Sequence, residues 1–278
     1  MCRLLGLVSN KTTKLSSMYD TLSLVLKKLC KDYGECHGHG CGVAWFDGNT
    51  WRLKKYAEPL WESSGLRQLI ERIESKAIIV HARKATYSLE SLRGLRQENA
   101  HPFIYESNGT QYVFAHNGHI LFDDNYVKVD LKNRVLKING TVQHLTSFGT
   151  DSEIFFRLLI SRLDSYYEKE PENIAHLLEE LLSDTVIRDF SAINFIMGSR
   201  EYIYALRYYN EDYEDSEEKY TLFYMTRSIY DQKNSEEKDL FISSEPLTSP
   251  KWFNTCLLYT SDAADDGESV DLGGRRII

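Results

Sequence analysis

Apolar residues are spaced for strands at both ends of this chain and for helices in its middle, and that order limits the folds open to it. Leu4 to Val8 reads as a short buried strand, and Ser9 to Lys14 as the loop after it. From Ser16 to Lys31, Met18, Leu22, Val25, Leu26 and Leu29 fall on one helical face, with Ser16 or Ser17 as N-cap. Val43 to Phe46, the turn Asp47-Gly48-Asn49 and Trp51 to Tyr56 carry a hairpin signal. Residues 64–74 are helix-like, Ala77 to Val80 reads as a central strand, and a polar loop, 88–102, leads to a strand at Gln111 to Ala115. Two alternating segments between 126 and 138 flank Lys132-Asn133 as a peripheral hairpin. Thr150 and Glu153 form a capping box for a helix running to Tyr166, and a second helix covers about 172–183. Strands follow at 190–197, 201–209 and 220–226, with one more apolar run at Leu240-Phe241-Ile242. Strands, then helices, then strands imply one α+β domain of layered sheets and helices, with no linker and no internal repeat.

With 278 residues, 42% hydrophobic and 27% charged, the chain has the length and composition of a soluble domain with a full core. No apolar run approaches the ~20 residues of a membrane helix. Lys11, Lys14 and Asp20 interrupt any signal-peptide pattern, so a cytoplasmic protein with no membrane partner is expected. A net charge of −8 and a pI near 5.6 argue against a nucleic-acid partner, which calls for clustered Lys and Arg. The cysteines, at 2, 30, 36, 41 and 256, are odd in number and show no paired framework, as in a reducing compartment. From Cys256 to Asp266 the sequence reads like a translated sequencing-library adaptor and runs on to Arg276 without helix or strand pattern. Residues 2–255 are therefore expected to be the domain and 256–278 a non-native tail.

Cys2 is the residue with the most distinctive chemistry. An initiator methionine before cysteine is normally trimmed, which would leave Cys2 with both a thiol and a free α-amine. That amine titrates near pH ~7.7–8 and can take the thiol proton, so nucleophile and base share one residue. Cys36-His37-Gly38-His39-Gly40-Cys41-Gly42 is a tight glycine-rich loop whose two thiols and two imidazoles offer a rival, zinc-binding reading. Four ligands within six residues do not match finger or ribbon spacings, and no metal is assigned.

Four further motifs accompany Met1-Cys2-Arg3-Leu4-Leu5-Gly6: His81-Ala82-Arg83-Lys84-Ala85-Thr86, Asn99-Ala100-His101-Pro102-Phe103, His116-Asn117-Gly118 and Gly149-Thr150-Asp151-Ser152-Glu153. In this order they resemble the class II glutamine amidotransferase domain, a branch of the N-terminal-nucleophile hydrolases, and most of all its stand-alone subgroup without a synthase domain. The resemblance covers roughly residues 2–250. It implies an αββα fold of two stacked antiparallel sheets between helical layers, and amide hydrolysis on glutamine or a γ-glutamyl compound without metal or organic cofactor. It makes Cys2 the nucleophile, Arg83 the ligand of the substrate α-carboxylate and Asp151 that of its α-ammonium. Asn117 and the Gly118 N–H become the oxyanion hole, and Thr86 and Tyr87 fall where the family places further substrate contacts. The residue types suit these tasks, since arginine meets a carboxylate with a bidentate fork and a tetrahedral oxyanion needs fixed neutral donors. His81 and His116 read as strand-end residues with structural hydrogen bonds, and His101 before Pro102 as a loop-fixing residue. With no synthase domain attached, a separate ammonia-accepting enzyme or a larger γ-glutamyl conjugate is implied. The alternative is a non-catalytic or zinc-binding regulatory protein on the same scaffold.

Overall fold

The computed structural model describes residues 2–85, 97–138, 140–165, 171–213, 219–230, 236–247, 253–254 and 257–262. In chain order the elements are β1 (Arg3–Thr13), α1 (Ser16–Tyr33), β2 (Cys41–Phe46), β3 (Trp51–Tyr56), α2 (Ser64–Ile70) and β4 (Ser75–Ala82). Next come β5 (Phe103–Ser107), β6 (Thr110–Asn117), β7 (Ile120–Phe122), β8 (Val127–Asp130), β9 (Val135–Ile138), β10 (Thr141–His144), α3 (Asp151–Leu163) and α4 (Pro171–Ser183). The chain continues through β11 (Ile187–Phe190), β12 (Asn194–Gly198), β13 (Tyr202–Arg207), β14 (Phe223–Tyr230), β15 (Glu236–Ser243), β16 (Phe253–Asn254) and β17 (Leu257–Asp262).

Two antiparallel sheets carry the fold, one ordered β16-β14-β15-β1-β4-β2-β3 and the other β17-β13-β12-β6-β5. Successive side chains of a strand point to opposite faces, and here both faces are apolar. On β1, Leu5 and Leu7 join Ile78 and Val80 of β4 against Leu22 and Leu26 of α1 and Leu66 of α2. Leu4 and Val8, with Ala77 and Ile79, instead face Val113, Ala115 and Ile196 of the second sheet. The far side of that sheet sets Phe114, Phe195 and Met197 against Phe155, Phe156 and Leu159 of α3 and Leu178 of α4. Three apolar layers thus separate helix, sheet, sheet and helix, the αββα order that the family resemblance implies. Each fully buried side chain of this kind contributes about 1.5–3 kcal/mol, and strands covered on both faces explain runs as continuous as Ala77-Ile78-Ile79-Val80. Gly6 lets the sheets close up, since a Cβ there would sit 3.1 Å from Ile196 Cδ1.

Several local expectations change. The first strand does not stop at Val8 but runs to Thr13, with an irregularity in its pairing to β4. Leu15, not a serine, stands at the N-cap of α1, and no side chain caps it. The segment expected at 190–197 divides between β11, which pairs with β7, and β12, which enters the main sheet. Residues 257–262, expected to lack strand pattern, pair as β17 along β13, whose edge N–H and C=O groups accept an extended neighbour. Cys30 and Cys36 are bonded to each other, against the expectation of no paired cysteines. Gly34, left-handed at φ 67°, donates to Cys30 O and ends α1, so the chain doubles back and brings Cys36 to Cys30. The inference of a reducing compartment loses that support. Among the described residues, no helix is long and apolar enough to cross a membrane.

Candidate active site

Cys2 lies where the ends of the two sheets meet. Arg3 pairs with Ala82 in the β1–β4 register, which sets Arg83 and Lys84 beside Cys2 just past the end of β4. The Cys2 thiol points at Lys84 O at 3.7 Å, and the Cys2 backbone nitrogen donates to Asn117 Oδ1 at 2.9 Å. Arg3 is nearly buried and fastens this corner, reaching Cys2 O at 3.2 Å and Glu245 at 2.6 Å.

Asn117 is the last residue of β6 and is fully buried. Its Oδ1 is committed to Cys2, while its Nδ2 has no partner among the described residues. A buried donor left in that state costs about 1–3 kcal/mol. Gly118 follows at φ 155°, and a Cβ on it would come within 1.9 Å of Ala192 O. Only glycine permits that approach. His116 ties the turn down: Nδ1 lies 2.9 Å from Ser152 Oγ and Nε2 3.2 Å from Ala192 O. Burial pushes its pKa below the ordinary histidine value, so a neutral ring donating from Nε2 and accepting at Nδ1 satisfies both contacts.

Asp151 opens α3 behind its N-cap Thr150, whose hydroxyl accepts from Glu153 N at 3.3 Å. The return half of the expected capping box is not made. Glu153 is buried and turns instead to Thr146 N at 2.8 Å, Ser147 N at 2.6 Å and Arg157 at 3.0 Å, holding the loop before the helix. Asp151 Oδ2 accepts from Ile120 N at 2.9 Å and stands 3.3 Å from His119 Nδ1, and Oδ1 accepts from Ser152 N at 2.9 Å. His119 and Ile120 directly follow Gly118, so this carboxylate is fixed to the same turn as Asn117 and Gly118. Burial favours protonated Asp151, but the His119 bond, the His116 ring and the Ile120 N–H outweigh it and hold its pKa below the usual carboxylate value. The side chain is still 26% exposed, open to a ligand.

The glycine-rich loop serves the Arg83 segment. Arg83 N donates to Gly40 O at 2.9 Å, Arg83 O accepts from His39 N at 3.0 Å, and Ala85 N donates to His39 Nδ1 at 2.8 Å. This dismantles the zinc reading of the loop. Cys36 is bonded to Cys30, His39 Nδ1 is taken, and Cys41 packs in the core beneath α1, where burial raises its thiol to about 12. Among the described residues no three His, Cys, Asp or Glu side chains converge on a metal position. Thr86 and Tyr87 lie outside the described residues.

His81 and His101 are buried with ring centroids 4.2 Å apart, and burial drives both well below the ordinary histidine value, so both are neutral. His101 Nδ1 accepts from His116 N at 3.3 Å, across the loop that its cis bond to Pro102 turns. Sequence reasoning missed His119 and Arg3. The one available signal was adjacency, His119 to Asn117-Gly118 and Arg3 to Cys2.

The family model for glutamine amidotransferases class-II matches residues 1–256. The chain is 26% identical over 273 residues to an uncharacterised protein of Methanocaldococcus jannaschii, covering 91% of this chain and 66% of that one. It is 28% identical over 208 residues to a Haemophilus influenzae protein provisionally named a glutamine amidotransferase, covering 74% and 62%. It thus spans slightly less than two thirds of the length of these relatives. A crystal structure of a predicted glutamine amidotransferase from Pseudomonas aeruginosa aligns over 97% of this chain and 99% of its own, with TM-score 0.56 and 20% identity. The glutamine phosphoribosylpyrophosphate amidotransferase of B. subtilis aligns over 99% of this chain and 50% of its own, with TM-score 0.59 and 14% identity. At such identities the structural likeness shows the fold alone.

Proposed function

The chain belongs to the class II glutamine amidotransferases, and from that premise we propose that it hydrolyses a γ-glutamyl amide through Cys2. Once Met1 is removed, the nitrogen held by Asn117 Oδ1 is the α-amine of Cys2. The neutral amine takes the thiol proton, directly or through a water, and the thiolate attacks the γ-carbonyl. The oxyanion that forms meets Asn117 Nδ2 and the Gly118 N–H. Collapse expels ammonia or an amine, which takes up the proton, and water then releases glutamate from the thioester.

One observation carries this reading: Asn117 spends its acceptor on the Cys2 nitrogen and keeps a buried donor without a partner beside it. Fixed donors of this kind act on the charge that develops at the transition state, each worth about 10²–10³ in rate. Arg83, beside Cys2 across the β1–β4 register, takes the substrate α-carboxylate. Asp151, ionised and partly open, takes the α-ammonium. The γ-side is then free to vary, and a separate enzyme in the cytoplasm receives the ammonia, or the leaving amine is part of a larger conjugate.

The test compares hydrolysis of glutamine, N-acetylglutamine and a γ-glutamyl anilide. Glutamine and the anilide should be cleaved and the N-acetyl compound refused. Cleavage of all three at similar kcat/KM contradicts the placing of Asp151.

A further inference from the structure

His119 stands over the carboxylate assigned to the substrate ammonium. Its Nδ1 is 3.3 Å from Asp151 Oδ2, with His119 50% and Asp151 26% exposed. That oxygen also accepts from Ile120 N at 2.9 Å, and Oδ1 takes Ser152 N at 2.9 Å. A carboxylate offers about four acceptor positions, and three are filled, so an arriving ammonium shares this one carboxylate with the imidazole. We propose that His119 is a specificity-determining residue of the α-amino subsite: imidazolium and substrate ammonium compete for Asp151, so that a glutamyl ligand binds with loss of one proton from His119. The proposal rests on the assignment of Asp151 to the ammonium.

The groups facing His119 support a ring that titrates under local control. Asp151 on α3 and Asp189 on β11 favour its charged form, and His116 at the end of β6 is a neighbouring ring held neutral by burial. The Asp151 bond, the largest influence, raises the His119 pKa above the ordinary value against partial burial. A second cation at Asp151 acts in the opposite direction, because like charges at one carboxylate repel. Below the free-state pKa the competent fraction is the neutral one, and apparent affinity falls about 10-fold per pH unit. Above it, affinity is independent of this group. The built-in imidazole therefore ties selectivity for an α-ammonium to the pH range above the raised His119 pKa.

Calorimetric titration of the full chain with L-glutamate across pH 5 to 8 tests this in the wild type and in His119→Gln, which keeps an N–H for Asp151 but cannot titrate. The wild type should lose about 10-fold in affinity per pH unit on the acid side and release close to one more proton than the variant. The variant should bind glutamate at low pH more tightly than the wild type. The ring-proton NMR signal absent from His119→Gln should titrate at lower pH when glutamate saturates the wild type. Equal pH slopes in the two proteins, with glutamate bound far more tightly than glutarate, would overturn the role of His119 alone. Glutarate binding as well as glutamate would overturn the assignment of Asp151 and the proposal with it.

Discussion

Replacing Asn117 by alanine should separate activity from stability. Two contributions can be worked from the structure. The Cys2 N to Asn117 Oδ1 bond of 2.9 Å is lost, which costs about 1 kcal/mol, the usual net value of a hydrogen bond. The buried Nδ2, which has no partner, is lost with it, and that removes a desolvation penalty of about 1–3 kcal/mol. The two nearly cancel, and the space vacated in a polar corner adds a modest loss. Net destabilisation should stay within about 2 kcal/mol, and at roughly 2–4 °C per kcal/mol for a chain of this size the melting temperature should fall by less than about 8 °C. Activity should fall much further. Loss of one oxyanion donor costs about 10²–10³ in kcat, and the Cys2 nitrogen is no longer aligned. Glutamate release from glutamine under saturating conditions gives kcat, and thermal unfolding of the same preparation gives the stability. A fall in kcat under 10-fold together with a drop of more than 10 °C would show Asn117 to be a structural residue and the donor argument to be wrong.

Gly118→Ala should be harsher, because its Cβ meets Ala192 O, a backbone atom, at 1.9 Å and at φ 155°. The turn must move, with stability down by about 1–3 kcal/mol and hydrolysis by more than 100-fold, read by unfolding and steady-state rates. Arg83→Ala should cost about 2–5 kcal/mol in kcat/KM by leaving a substrate carboxylate unpaired, and Arg83→Lys should recover only part; a loss under 10-fold in Arg83→Ala refutes the role. Glu153→Gln leaves Arg157 facing an uncharged partner and should destabilise by about 3 kcal/mol at pH 7. Burial works against the Glu153 charge, but the Ser147 and Thr146 bonds and Arg157 depress its folded pKa. Its contribution is thus fully present above the unfolded value of about 4.3 and fades as pH falls through the lower folded value, so denaturant titrations of wild type and variant should converge at low pH and diverge at pH 7.

The parts of the fold legible in the sequence are those whose pattern is local. Ala77 to Val80 announced a doubly covered strand, Met18 to Leu29 a helical stripe, and Thr150 a helix start, because burial on fixed faces imposes those spacings. Asn117 and Gly118 alone read as an ordinary turn and were singled out only by the family resemblance; that the turn tolerates no Cβ at Gly118 is visible only in the structure. What was hidden depends on long-range contacts. Glu153 fitted a capping box by spacing, yet its oxygens serve Thr146, Ser147 and Arg157 because the preceding loop folds over it. The Cys30–Cys36 bond depends on where Gly34 ends α1, not on the cysteines themselves. β7, three residues long, is too short to show a period, and β17 owes its strand form to the open edge of β13. His119 gained its meaning only when α3 brought Asp151 against it.

The proposed mechanism makes Cys2 an N-terminal nucleophile positioned by Asn117. Intact mass spectrometry of the purified chain, before and after exposure to a glutamine analogue bearing an electrophile at the γ position, tests it most directly. The expected result is a chain beginning at Cys2 that gains one adduct, mapped by fragmentation to Cys2, with labelling abolished in Cys2→Ala and slowed in Asn117→Ala. Retention of Met1 in active protein, or an adduct that persists in Cys2→Ala, would contradict it.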